Sequence, residues 1–476
     1  MKKIRNAIRV VSVLLVCAFA FVGCWMAYTT YTQRSRWLAT PYNTRLNAAR
    51  KTTGMGAITD RNGITLAKTL PDGTRAYAAD ERMRRAVSQT VGDQMSMSGT
   101  GVETFHAGTL LGMSGSIIDR TFQYVTGKHF QGDNLKLTVD AQLSAYISEQ
   151  FPRGKEGAVA LINYQSGEIL AMVSKPDYDP VTLANRQADA NFSGSGYLNR
   201  CLQGQYAPGS AFKVVTLAAA LEAIPEMASR LFLCDGPRAF GPGQVTCYGG
   251  EIHGEMSLWE AFSKSCNVTF ASIANELGEA QLRATAEKMG FNDNFMFRDV
   301  VLYESSMPEK MADASELAWT GVGQGKLLVT PMHMAMIAGA VANGGIMREP
   351  QLVAQVSGVG NIPRLRAATG IYGQVMSPNV ARLVGLAMQR TVEQGTATKA
   401  RIKGYTVCGK TGTAETSDDK SVKTNAWFIG YIANEAHPYA IAVVVEQGGT
   451  GGAVAAPLAA KVFKQAIAQD APAPAA

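Results

Sequence analysis

Tyr206-Ala-Pro-Gly-Ser-Ala-Phe-Lys-Val-Val-Thr216 sets a serine in the first turn of a helix and a lysine three residues later on the same face. Pro208-Gly209 ends the preceding segment, and the run from Phe212 to Ile224 continues as a Leu/Ala/Val helix. Free backbone N–H groups and the helix dipole at that point favour an oxyanion developing beside the Ser210 hydroxyl. A Ser-x-x-Lys pair alone says little. Ser417-Asp-Asp-Lys420 is a second copy, and in isolation Ser210 would cap a helix and Lys213 would be solvated.

Two further motifs change that reading. Ser265-Cys266-Asn267 follows an amphipathic helix, whereas its decoy, Ser377-Pro-Asn379, is placed to start one. Lys410-Thr411-Gly412-Thr413 closes the alternating stretch from Tyr405, which fits an edge strand. Gly404 to Thr411 also matches the phosphate-loop pattern G-x-x-x-x-G-K-T. Such a loop must lead into a helix, but Gly412 to Lys420 is polar and has no apolar face, so nucleotide binding is not expected. On an edge strand, Lys410 with the Thr411 and Thr413 hydroxyls can hold a terminal carboxylate. Gly412 lets a substrate backbone approach, and the Thr413 N–H is placed to be a second oxyanion donor. For Lys213 to take the serine proton, its pKa must fall from about 10.4 towards neutrality. Burial and a second cation, Lys410, supply the push.

With its flanks and the order of the three motifs, the chain resembles the penicillin-binding proteins, specifically the monofunctional class B D,D-transpeptidases. Gly323-Gln-Gly325, Gly395-Thr396, Ala426-Trp427-Phe428 and the Gly448–Gly452 loop add to the likeness, which covers about residues 135 to 465. The resemblance implies that Ser210 forms an acyl-enzyme with the D-Ala-D-Ala end of a peptidoglycan stem peptide. Ser265 then relays a proton to the leaving D-alanine, Asn267 holds the substrate amide, and β-lactams acylate the same serine. D,D-carboxypeptidase or β-lactamase activity through the same acyl-serine, or a catalytically silent scaffold, remain as alternatives. No cofactor, metal or nucleic acid is expected.

The expected fold is α+β. Ala158 to Val173 reads as a hairpin about Gln165-Ser166-Gly167, and Ala426 to Glu446 as a second one. Helical patterns lie between them at 212–224, 258–277, 280–288, 331–341 and 379–391, with a last helix at 455–468. The sheet of this transpeptidase domain (135–470) is therefore completed by the C-terminus, ahead of a flexible tail at 471–476. Asp140 or Thr138 caps its entrance helix.

Upstream, Val10 to Tyr28 is uncharged and long enough to cross a bilayer. Lys2, Lys3, Arg5 and Arg9 precede it, favouring a cytoplasmic N-terminus (1–9) and an extracytoplasmic remainder. Ala18-Phe19-Ala20 would suit a cleaved signal peptide, but apolar residues continue to Trp25 and Tyr28, so an uncleaved anchor at 10–28 is expected. Residues 29–134 are expected to form a non-catalytic pedestal too short for a glycan polymerase. The resemblance supplies that activity through a partner, a SEDS-family glycosyltransferase. Of seven cysteines, Cys234 and Cys247 bracket a Gly/Pro-rich loop, either as a disulfide or as two reduced thiols. Cys266 and Cys408 have no histidine close in sequence.

Overall fold

Apolar runs on both sides of the Gln165-Ser166-Gly167 turn build the first catalytic hairpin, Gly157–Asn163 against Ile169–Lys175, with Val159 opposite Val173. Gly167 takes the turn at φ +83°, and Asn163 Oδ1 accepts from the amides of Gln165 and Ser166. The structure, a computed structural model, describes residues 2–38, 49–50, 53–113, 131–182, 194–358, 363–366, 370–417, 419 and 421–470. The expected tail at 471–476, and Asp418 and Lys420 of the second Ser-x-x-Lys copy, lie outside the described residues.

The C-terminal hairpin, Asn425–Ile432 and Tyr439–Val445, joins the first one strand to strand, with Val443 opposite Val159. Val407–Ala414 adds to Asn425–Ile432 and forms one edge of this five-stranded antiparallel sheet. Both faces are covered, so the two C-terminal strands are buried throughout and read as nearly continuous apolar runs. Alternate residues serve opposite cores. Val159, Phe428 and Val443 pack with Ile147 and Phe463 of the flanking helices Ala141–Gln150 and Ala455–Asp470. Ala158, Trp427 and Val444 instead face the cluster containing Ile337 of Pro331–Ala342. Asp140 caps its helix as expected, accepting from Leu143 N at 2.8 Å.

Lys213–Ala223, Pro331–Ala342, Pro378–Gln394 and Ala455–Asp470 form close to the expected positions. The expected single helix from Leu258 to Leu277 does not form. It breaks into Leu258–Ser263 and Asn267–Lys288, and the second continues through a kink at Gly278 where two helices were expected. Ser265 occupies the break in a left-handed conformation, φ +62°. Each half is separately started: Ser257 and Glu260 form a capping box, and Cys266 Sγ accepts from Thr269 N. Apolar periodicity runs on across the gap, which is why the pattern alone concealed it.

In the N-terminal part, Asp60 Oδ1 accepts from Asn62 N and Ile64 N to make the turn after Ile58–Thr59. A six-stranded sheet follows in the order Pro363–Arg366, Val353–Ser357, Asn134–Leu137, Ile58–Thr59, Thr65–Thr69, Arg75–Tyr77. It thus takes strands from both sides of residue 134. The first helix, Lys2–Leu38, carries an exposed span at Lys3–Thr30 in which an 18-residue window has a mean hydropathy of 2.5.

Arg75 and Glu103 form a buried ion pair at 2.7 Å, their side chains 3% and 0% exposed, and Tyr77 donates to the same carboxylate at 2.8 Å. Glu103→Ala leaves a guanidinium buried without its counter-charge, a loss of about 3–5 kcal/mol. A clear drop in the thermal unfolding midpoint is expected. An unchanged midpoint would show that the pair holds nothing together.

Candidate active site

The loop carrying Ser210 is clamped on both sides by backbone. Gly209 adopts φ +54°, and a Cβ there would lie 2.6 Å from Thr413 O. Its N–H donates to Gly323 O at 2.9 Å. Upstream, Tyr206 exchanges backbone hydrogen bonds with Val329 at 2.9 and 2.8 Å, and Trp427 Nε1 donates to Ala207 O at 3.0 Å. Tyr206 OH donates to Glu446 at 2.8 Å, and Arg200 binds both Glu446 and Glu156. Ser210 therefore sits in a 3₁₀ turn, Gly209–Phe212, leading into Lys213–Ala223. Arg200 and Glu446 escaped the sequence reading because 246 positions separate them and no local pattern marks either.

Lys213 is fully buried in the wall behind this loop. Its Nζ donates to Ser265 O and Asn267 Oδ1, both at 2.7 Å, lies 3.3 Å from Ser265 Oγ, and stands 5.5 Å from the Phe270 ring centre. Lys410, also fully buried, donates to Ser265 Oγ at 2.9 Å and Thr411 O at 3.0 Å, above the Phe262 ring. Two lysines from distant motifs meet at one hydroxyl. The left-handed turn at Ser265 makes this possible, since it turns both the carbonyl and the hydroxyl of that residue towards the lysines. The Ser210 hydroxyl makes no hydrogen bond among the described residues, and the Lys213 bonds lead to Ser265 and Asn267 instead.

Burial pushes both ammonium groups down. The pKa of Lys213 falls to about 8, and that of Lys410 falls well below the usual lysine value, first through burial and then through the charge of Lys213.

The remaining candidates are nearby. Ser210, Ser265, Asn267, Thr411 and Thr413 all line one cleft of about 700 Å³. Thr411 Oγ1 is hydrogen-bonded to Thr396 Oγ1 at 2.5 Å, and Thr413 Oγ1 accepts from Gly451 N at 3.4 Å. A Cβ at Gly412 would lie 2.5 Å from Pro208 O and 2.9 Å from Trp427 Cβ, so the chain's own serine loop also requires glycine there.

Cys234 and Cys247 are not bonded; their sulfurs lie 3.8 Å apart and all seven cysteines are free thiols. Their sulfurs instead gather with those of Cys266 and with a ring nitrogen of His253. Sequence reading, which expected no metal, did not foresee this group. It left Cys266 without a histidine because His253 approaches only through the fold.

Residues 157–464 match the family model for the penicillin binding protein transpeptidase domain. The peptidoglycan D,D-transpeptidase PbpA of Mycolicibacterium smegmatis is 32% identical over 396 residues, 78% of this chain and 80% of that relative. Stage V sporulation protein D of Bacillus subtilis is 28% identical over 399 residues, covering 77% and 60% respectively. Among solved structures, penicillin-binding protein A from M. tuberculosis, as its ceftriaxone acyl-enzyme complex, superposes with a TM-score of 0.80. It is 29% identical and covers 89% of this chain and 100% of that one. The D,D-transpeptidase domain of a peptidoglycan glycosyltransferase from Eggerthella lenta gives 0.77 at 29% identity, covering 88% and 99%. Sequence and architecture thus agree over the whole region that carries the lysine-bridged cleft, and the chain belongs to the penicillin-binding protein transpeptidase family, among its class B members.

Proposed function

We propose that this protein is a serine D,D-transpeptidase that cross-links peptidoglycan stem peptides, with Ser210 as its nucleophile. The observation that carries the reading is the meeting of Lys213 and Lys410 at the Ser265 hydroxyl, in the wall of the cleft that Ser210 lines. Two ammonium groups so close and so buried cannot both stay charged, so the pair holds one proton over a working pH range. A neutral amine has two N–H bonds. Ser265 O and Asn267 Oδ1 satisfy both on Lys213, leaving its lone pair for the serine proton.

Ser210 Oγ attacks the carbonyl of the penultimate D-alanine as Lys213 takes its proton. The C–N bond then breaks, and the proton reaches the departing nitrogen through Ser265, so D-alanine leaves with a neutral amine and its carboxylate still ionised, and an acyl-enzyme remains. An amine from a second stem peptide attacks that ester, returns a proton to Ser210, and closes the cross-link. Lys410, with Thr411 and Thr413, holds the substrate's terminal carboxylate. The Thr413 N–H serves with that of Ser210 as oxyanion donor. A β-lactam enters the same path when its ring amide is opened by Ser210.

The helix at Lys3–Thr30 is read as an uncleaved anchor, with its basic N-terminal end in the cytoplasm and the catalytic domain outside. Residues 29–134 are read as the pedestal. The glycan strand comes from a separate SEDS-family glycosyltransferase, the partner implied by the family resemblance.

Fluorescent penicillin should label the wild type and fail to label Ser210→Ala, while Ser265→Ala should be acylated roughly 10²–10⁴-fold more slowly. Equal labelling of Ser210→Ala would refute the assignment. Incubation with a pentapeptide donor and an amine acceptor should give cross-linked dimers. Hydrolysed tetrapeptide alone would mark a carboxypeptidase, and neither product a scaffold.

The lysine pair also sets the pH dependence. Lys213 can take the Ser210 proton only as the free base, a form lost as the pH falls below its pKa of about 8. The second-order rate constant for β-lactam acylation should therefore rise with pH through about 8 and level off above it. A rate still climbing at about pH 10, the ordinary range for a free lysine, would exclude Lys213 as a base lowered by burial.

A further inference from the structure

Three cysteines and one histidine, separated along the chain by twelve, five and twelve residues, come together beside the cleft: Cys234, Cys247, His253 and Cys266. We propose that they form a structural zinc site, a closed Cys₃His set that braces the wall of the active-site cleft. This inference does not rest on the transpeptidase reading.

The spacing of the ligand atoms is the main ground. Zinc with thiolates at about 2.3 Å and imidazole at about 2.0 Å in a tetrahedron holds its sulfurs about 3.8 Å apart and sulfur to nitrogen about 3.5 Å apart. Here Cys234 Sγ to Cys247 Sγ is 3.8 Å, Cys247 Sγ to Cys266 Sγ is 3.7 Å, and Cys234 Sγ to His253 Nδ1 is 3.6 Å. No pair among the four atoms exceeds 4.8 Å, so closing on an ion requires movements of no more than about 1 Å. A disulfide needs about 2.05 Å, and any one bridge among three sulfurs strands the third.

The surroundings suit a bound metal. The three cysteines are at most 3% exposed, and the His253 side chain is 8% exposed. His253 turns Nδ1 to the sulfurs and Nε2 towards the exposed Glu251 carboxylate, 3.4 Å away, the side on which a zinc-bound histidine usually finds a carboxylate. Thr269 donates to Cys266 Sγ from its hydroxyl at 3.2 Å and its amide at 3.4 Å, as a thiolate requires. The ligands are also held by the fold before any ion arrives. Cys234 lies opposite Gly254, next to His253, in the pairing of Leu231–Cys234 with Gly254–Ser257, and Cys266 caps the Asn267–Lys288 helix. Four protein ligands fill the tetrahedron, so the ion has no open position for chemistry and its role is structural.

Its effect falls on the active site by position. Cys266 stands between Ser265 and Asn267, both bonded to Lys213, and Asn267 Nδ2 donates at 2.9 Å to Thr246 O, next to Cys247. One ion would tie the break between the two helices to the loop that forms the facing wall.

The test is metal analysis of the full chain, purified in detergent from zinc-supplemented cells without chelator or added thiol. About one zinc per chain is expected, with all seven thiols titrating once the protein is unfolded with a chelator present. Cobalt substitution should give the intense visible bands of a tetrahedral thiolate centre. Cys234→Ser and His253→Asn should purify with zinc near background, and Glu251→Gln should lose zinc to a chelator roughly 10–100-fold more readily. A wild-type protein without zinc overturns the proposal, whether its thiols all titrate or two are missing in a disulfide. Penicillin labelling of the same preparation keeps the outcomes separate, since labelled but metal-free protein removes the zinc site and leaves the transpeptidase reading intact.

Discussion

Two lysine side chains brought out of water onto a single hydroxyl are the costliest feature of this molecule. Burying one ammonium group costs several kcal/mol even after relaxation, and a like charge beside it adds to the penalty. The protein meets this by letting protons go and by giving each nitrogen firm acceptors: Ser265 O and Asn267 Oδ1 for Lys213, Ser265 Oγ and Thr411 O for Lys410. The aromatic faces of Phe270 and Phe262 add support for whichever nitrogen holds the charge. A structure under this constraint tolerates little freedom at Ser265, which explains why a non-glycine residue stays at φ +62° there.

The elements that carry these groups come together late in the chain. Gly157–Asn163 has its full complement of partners only when Tyr439–Val445 pairs with it, and Lys410 rides on the edge strand one step further out. The serine loop then packs against that edge strand so closely that Gly209 and Gly412 have no room for a Cβ. An edge strand normally exposes unpaired backbone groups to other chains. Here the serine loop lies against that strand, whose residues are all buried except the half-buried Thr413, so little of the edge is left open.

Much of this was legible in the residues. The hairpin at Gln165-Ser166-Gly167, the Asp140 cap and the buried C-terminal strands follow from patterns only a few residues long, and they formed where those patterns lie. The three motifs told more through order and flanks than through spacing. What could not be read depends on backbone sign or on distance through space. The break at Ser265 is a single dihedral inside an unbroken apolar periodicity. The tie from Arg200 to Glu446 and Glu156 joins three parts of the chain that share no local signal. The cysteine–histidine group depends on a strand pairing between short segments that carry no strong strand pattern.

The Ser265–Asn267 segment therefore answers to two demands. From one side its carbonyl, hydroxyl and side-chain amide are the acceptors that hold the two lysines. From the other, Cys266 is drawn into a buried sulfur–imidazole cluster along with the loop carrying Thr246. A turn that joins two helices and carries a positive φ is ordinarily among the softer parts of a fold. Fastening its middle residue from behind leaves the flanking residues free to face the cleft while removing the freedom to swing. That geometry answers the mechanical problem posed by the lysine pair: how to keep a strained turn rigid without occupying the face on which the chemistry happens.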